Sequence, residues 1–197
     1  MGLIPKNSGW LKIFIYKFIF SKTNILVISL EEKKYLSKIM PKKDIKFIPF
    51  GVDNNFWRAK KVKLEEEFIL AIGNDNSRDW ETLIDSWDKS LPRLKIVTSK
   101  PLNINKSNIQ IIKGDWRKNF LTDKQIRSLY NGSRLVVVPL RETIQPSGQS
   151  VCLQAMSCGK PVIMSKISGL WDYSKLIHKE NIFLIQPENS PLLNAYI

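Results

Sequence analysis

Hydrophobic residues fall along this chain in short β-branched runs, separated by stretches with helical spacing. The clearest run is Leu135 to Val138, unbroken by a polar residue, which predicts a strand buried on both faces. Pro139 stops it, and a polar loop with Gln145, Pro146, Ser147 and Gly148 follows. Val151, Cys152, Ala155 and Met156 then recur on one side of a helix closed by Gly159, and Val162 to Met164 is the next apolar run. Strand, loop, helix and strand in that order predict parallel strands joined by a right-handed connection.

The same alternation extends in both directions. Downstream of residue 67, strands are predicted at Phe68 to Ile72, Leu94 to Thr98, Ile109 to Ile112 and Asn181 to Ile185. Helices are predicted from about Trp80 to Asp88, with Leu83, Ile84 and Trp87 on one face, and from Leu121 to Tyr130. A further helix begins at Pro191. Upstream, Ile25 to Ser29 reads as a buried strand, Leu30 to Ile39 as a helix and Ile45 to Pro49 as a strand. The charged stretch from Arg58 to Glu67 has no period and is the expected linker. The fold class is therefore α/β: a Rossmann-like parallel sheet with helices on both faces.

Trp10 to Phe20 is an apolar run interrupted by Lys12 and Lys17. A bilayer span takes about 20 residues, so this run is too short, and no small-residue cleavage site follows it. A helix packed in a protein core is the first expectation, and interfacial membrane contact the second.

Composition sharpens this only in places. Apolar residues at 43% and charged residues at 25% are ordinary for a globular chain. Cys152 and Cys158 sit six apart on one predicted helix, do not face each other, and read as small apolar residues of a reducing compartment. His178 has no histidine or cysteine cluster beside it, so no metal site is signalled. The net charge of +13 is concentrated at the start, where residues 1–50 carry ten lysines against Glu31, Glu32 and Asp44. A solvated basic face explains this most simply, and an anionic membrane surface is the functional alternative. No nucleic-acid module is present, so nucleic acid is not an expected partner.

Candidate chemistry centres on the turn before Val151. The N–H groups of Gly148, Gln149 and Ser150 would point outward beside the Ser147 and Ser150 hydroxyls, and a helix N-terminus of this kind favours an anion. Taken alone, the turn could equally be a structural cap.

Five segments, in order, resemble the family 4 glycosyltransferases of the GT-B fold. ILVISLEEKKYL resembles a late strand and serine turn of the N-terminal domain, and IKFIPFGVDNNFW the interdomain segment ip-x-GVD-xx-F. ILAIGNDNSRDWETLIDSW resembles the first strand, glycine loop and helix of the donor domain. IRSLYNGSRLVVVPL and SGQSVCLQAMSCGKPVIMSKISGLWD resemble the two segments around the nucleotide-sugar site. The resemblance implies that residues 1–58 are the end of the acceptor-side domain with the interdomain segment. It makes 59–67 the linker and 68–197 the donor-binding domain, without the crossing helix. On that pattern the chain resembles a fragment truncated at both ends.

The resemblance also assigns donor-binding residues. Gly73 matches the glycine that lets the loop approach the donor, and Arg78 the basic residue, more often lysine, that pairs with the diphosphate. Gly148, Gln149, Ser150 and Val151 match the backbone turn that cradles the phosphates, with Ser147 at its edge. Gln154 matches a glutamate that holds the ribose. The first glutamate of the family pattern is absent: Pro146 occupies its position, Gln145 stands one residue back, and Glu142 lies in the same loop. Asn74 replaces a frequent arginine.

The implied activity is metal-independent, retaining transfer of a glycosyl group from a nucleotide diphosphate sugar to a glycan or lipid-linked acceptor. It needs no cofactor. It fits cell-envelope polysaccharide synthesis in the cytoplasm, peripheral on the inner face of the membrane. No residue is assigned as catalytic. A non-catalytic nucleotide-binding remnant, or half of a split glycosyltransferase, is the alternative. A nicotinamide-binding module is disfavoured, because no G-x-G-x-x-G follows a strand.

Overall fold

The computed structural model describes residues 9–61, 67–114 and 121–188. The helix expected from Pro191, and residues 62–66 of the expected linker, lie outside them.

In chain order the elements are α1 (Trp10–Ile19), a 3-10 turn (Phe20–Lys22), β1 (Ile25–Val27), α2 (Leu30–Ile39) and β2 (Ile45–Phe47). Then follow β3 (Phe68–Ile72), α3 (Trp80–Ser86), β4 (Arg93–Thr98), β5 (Ile109–Lys113) and α4 (Asp123–Gly132). The last are β6 (Leu135–Val138), α5 (Gln149–Ser157), β7 (Val162–Ser165) and β8 (Phe183–Ile185). Expected and observed elements agree in type and order, with ends that move by one to three residues.

Strands β3 to β8 form one six-stranded sheet in the order β5-β4-β3-β6-β7-β8, parallel throughout. All residues of β3, β6 and β7 are buried, as unbroken apolar runs require. Side chains alternate between its faces. Leu70, Ile72, Val136 and Val138 pack with Ile126 and Tyr130 of α4 and with Val151, Cys152 and Ala155 of α5. Ile69, Ala71 and Val137 pack on the other side with Trp80 and Leu83 of α3 and with Trp87. Each helix thus covers one face, and the sheet has helices on both. Cys152 and Cys158 are both free and buried, and burial pushes the Cys152 thiol pKa up to about 12.

The sheet grows from β3 to β5 in one direction and from β6 to β8 in the other. The order therefore switches between β3 and β6. Ligands in open α/β sheets bind beyond the strand carboxyl ends at such a switch. Here that places the loops after β3 and β6 side by side.

The N-terminal part is thinner. β1 and β2 form a separate two-stranded parallel sheet, and Ser29 caps α2 by accepting from the Glu32 N–H. Two expectations fail here. The Ile25 to Ser29 strand ends at Val27, and Leu26 stays 59% exposed. The run from Trp10 is helical but not packed in a core: Trp10 is 80% and Phe18 77% exposed, and Leu11, Phe14, Ile15 and Ile19 are exposed beside them. Among the described side chains of this run, Ile13, Tyr16 and Phe20 are half-buried. The physical reason is size. Two strands of three residues cannot cover both a ten-residue helix and α2.

Candidate functional site: the switch between β3 and β6

The loop after β3 is stitched to the loop after β6 by backbone hydrogen bonds. The Asp79 N–H donates to the Pro139 carbonyl at 3.2 Å, and the Arg141 N–H to the Ser77 carbonyl at 2.9 Å, with Arg78 opposite Leu140 as an antiparallel bridge. Asp79 accepts from the Thr82 N–H and caps α3. Between that cap and β3, Arg78 turns inward.

Its side chain is almost fully buried, with Nε 3.1 Å from Asp75 Oδ2 in an ion pair. Nη1 is buried and has no hydrogen-bond partner. Burial pushes the Arg78 pKa down, and the Asp75 carboxylate and Tyr130 phenol oppose this. A buried guanidinium with an unmatched N–H fork is costly unless an acceptor arrives.

Two glycines make room for it. A Cβ on Gly73 would overlap Arg78 Nε. The space that the sequence assigned to the approach of a donor is thus taken up by Arg78 itself. Gly148 adopts φ 75° at the N-cap of α5, and a Cβ there would stand 2.7 Å from Val138 Cγ1 and 3.2 Å from Arg78 Nη1. Glycine meets both demands, a positive φ and the close approach. The unmatched Nη1 is therefore beside the N-terminus of α5, where first-turn N–H groups have no intrahelical acceptor. No side chain caps this helix.

The expected site residues divide. Gly73, Arg78, Ser147 and Gly148 converge, with Gln149, Ser150 and Val151 on the first turn of α5. Ser147 Oγ donates to Asp75 Oδ1 at 2.9 Å, tying the two loops together. The Gln149 side chain turns away and donates to the Ile28 carbonyl at 2.9 Å, joining α5 to the N-terminal part. Gln145 is half-buried, and its N–H donates to Thr143 Oγ1. Gln154 lies further down α5, its Oε1 accepting from the Tyr130 hydroxyl at 3.1 Å. Glu142 accepts from the Ser168 N–H at the surface. Asn74 ties strand ends together: it donates to the Gly114 carbonyl and accepts from the Thr98 hydroxyl and Ser99 N–H.

Two residues went unseen in the sequence. Asp75, three before Arg78, holds the Arg78 guanidinium and the Ser147 hydroxyl, and its spacing in a polar loop was the available signal. Tyr130, read only as a core residue, is fully buried, and burial pushes its phenol pKa up while the Arg78 cation opposes. Among the described residues, no three His, Cys, Asp or Glu side chains gather as metal ligands.

Beside the site, a cleft of ≈ 450 Å³ separates Ile144, Gln145 and Pro146 from the N-terminal strand–helix unit. Glu31 and Glu32 line it, and burial pushes the Glu32 carboxyl pKa up. No helix among the described residues is long and apolar enough to cross a membrane.

Comparison with known proteins agrees with this architecture. The chain is 25% identical over 212 residues to the uncharacterized glycosyltransferase MJ1607 of Methanocaldococcus jannaschii, covering 95% of this chain and 53% of that protein. The crystal structure of Anabaena HepE in complex with UDP and glucose superposes with a TM-score of 0.70 at 15% identity, over 98% of this chain and 58% of that one. The structure of WaaG, a glycosyltransferase of lipopolysaccharide biosynthesis, superposes with a TM-score of 0.62 at 16% identity, over 96% of this chain and 60% of that one. The chain thus spans somewhat over half the length of these relatives. The sequence profile of glycosyl transferases group 1 matches residues 66–197, and the chain belongs to that family.

Proposed function

We propose that the β3/β6 switch binds the diphosphate of a nucleotide diphosphate sugar, as the donor half of a retaining, metal-independent glycosyltransferase. The observation that carries this is the buried, unmatched Nη1 of Arg78 beside the Gly148 turn. A diphosphate would supply the missing acceptor. As the glycosyl bond breaks, negative charge grows on the departing diphosphate. The Arg78 guanidinium and the N–H groups of Gly148, Gln149 and Ser150 would stabilise that charge already in place, without a cation. Asp75 fixes the guanidinium, so little reorganisation accompanies the step.

HepE has been solved with UDP and glucose, which makes uridine diphosphate the first ligand to test. A glycan or lipid-linked acceptor would enter by the cleft facing Gln145 and Pro146. The ten lysines of residues 1–50 suit an anionic surface, and so a cytoplasmic protein held at the inner face of a membrane.

Calorimetry with uridine and guanosine diphosphates, with and without chelator, tests the reading. Binding should survive the chelator, and Arg78→Ala should weaken it about ten- to a hundredfold, the value of a hydrogen bond to a charged group. Binding that vanishes with chelator, or that ignores Arg78→Ala, defeats it. Acidic vesicles test the membrane part: retention should fall steeply between low and physiological salt, and equal retention on neutral vesicles refutes it.

A second reading has its own observation. Both glutamate positions of the family pattern are changed, to Pro146 and Gln154. A nucleotide-binding remnant, or one half of a split enzyme, would bind the diphosphate normally yet show no transfer or hydrolysis of the sugar.

A further inference from the structure

We propose that Tyr130 is a positioning residue for ribose recognition, fixing the Gln154 carboxamide so that its NH2 group is turned toward the nucleotide. This rests on the donor-site reading above. Tyr130 is fully buried on α4, and its ring packs edge-on against Trp57 with centroids 5.8 Å apart. A buried phenol hydroxyl requires a partner. This one donates to Gln154 Oε1 at 3.1 Å, across from one helix to the next. The amide oxygen is thereby engaged on the inner side. Gln154 is only half-buried, so its NH2 end is left to face outward.

Position supports the same role. Gln154 lies four residues beyond Ser150, on the same side of α5 and about 6 Å along it at the rise of an α-helix. A group bound at the helix N-terminus would leave the next part of its ligand, the sugar of the nucleoside, alongside that turn. A glutamine free to rotate offers either a donor or an acceptor there. One held by Tyr130 offers donors, and ribose hydroxyl oxygens accept. Because Tyr130 also packs on Trp57, it fastens the residue that reads ribose to the segment entering the donor domain.

The test uses the intact chain and compares uridine diphosphate with its 2′,3′-dideoxy analogue by calorimetry. Wild type should prefer the ribose form by about two- to tenfold, the range of one neutral hydrogen bond. Tyr130→Phe keeps the ring and its packing but removes the hydroxyl, so the preference should fall toward one. Discrimination between uridine diphosphate and uridine, which depends on Arg78, should persist. Gln154→Ala should lose the preference as well, and adding Tyr130→Phe to it should change nothing further. A folded Tyr130→Phe with an unchanged ribose preference overturns the positioning role, as does Gln154→Ala with an unchanged preference. Should wild type bind neither form, the donor-site reading itself fails and takes this role with it.

Discussion

Residues 9–50 and residues 67–188 follow the same local rules and reach different ends. Both alternate strands and helices, and both pair their strands in parallel. In β3 every residue is buried, whereas in β1 only Val27 is. The difference lies in what surrounds each element. A central strand of six has neighbours on both edges and helices on both faces, while β1 has β2 along one edge and α2 beside it. Apolar sequence makes a surface that favours burial, but burial needs a second surface. The six-stranded part supplies its own, whereas the outer side of α1, with Trp10, Phe14 and Phe18, stays exposed.

The sharpest way to break this comparison is to make equivalent cuts in both regions. Leu70→Ala, at a fully buried position in β3, should destabilise the chain by about 2–5 kcal/mol. Phe14→Ala, on the exposed side of α1, should change stability by less than about 0.5 kcal/mol. Denaturant unfolding measures both. A large effect of Phe14→Ala would mean that α1 is covered in solution, and a concentration-dependent midpoint would identify a second copy of the chain as the cover.

The joint between the regions should give an intermediate effect. Asn131 Oδ1 accepts from the Lys60 N–H at 2.7 Å, and its Nδ2 donates to the Arg58 and Arg127 carbonyls. Arg127 also donates to the Phe56 carbonyl and lies over the Phe56 ring, and Ser157 Oγ donates to the Trp57 carbonyl. The segment from Phe56 to Lys60 is thus fastened to α4 and α5. Asn131→Ala removes the hydrogen bonds that hold Arg58 and Lys60 to α4, each worth about 0.5–1.5 kcal/mol, and should destabilise by about 1–3 kcal/mol. Hydrogen exchange should quicken first at Lys60. If exchange there is unchanged, the segment is held by Trp57 packing instead.

These contrasts also explain what was legible in the sequence. Leu135 to Val138 and Phe68 to Ile72 could be read to the residue, because a buried strand is an unbroken apolar run with turn residues at its ends. The Trp10 helix was legible as a helix but not as an exposed one, since an apolar stripe does not say whether another surface meets it. At the site, Arg78 and the Gly148 turn were each visible alone. Their meeting depends on strand order, with β3 beside β6 although more than sixty residues separate them. The Asp75–Ser147 contact depends on the same juxtaposition, whereas the Asp75–Arg78 pair is local, and the Tyr130–Gln154 bond joins two helices that residue spacing does not bring together. The room at Gly73 belongs to the same class: a bare Cα could be read, but not that Arg78 fills it.

The smallest effect concerns a side chain that bridges the two regions. Gln149 contributes its backbone N–H to the first turn of α5, yet its side chain donates to the Ile28 carbonyl at 2.9 Å. The Leu30 N–H donates to the Trp171 carbonyl at 3.2 Å close by, so this edge of the N-terminal part has two attachments. Gln149→Ala removes one neutral hydrogen bond, which contributes about 0.5–1.5 kcal/mol. Because the second attachment remains, the loss should appear as faster hydrogen exchange around Ile28 to Leu30 with little change in the global midpoint. Affinity for uridine diphosphate should hold within about twofold, since on the proposed reading the phosphate donor at 149 is the backbone N–H and Arg78 is untouched. Calorimetry and exchange on the same variant decide between two pictures. Loss of diphosphate affinity on the scale of Arg78→Ala would mean that the Gln149 side chain turns to the ligand when it binds. The Ile28 attachment would then be released in the bound state, with the Leu30–Trp171 bond still in place.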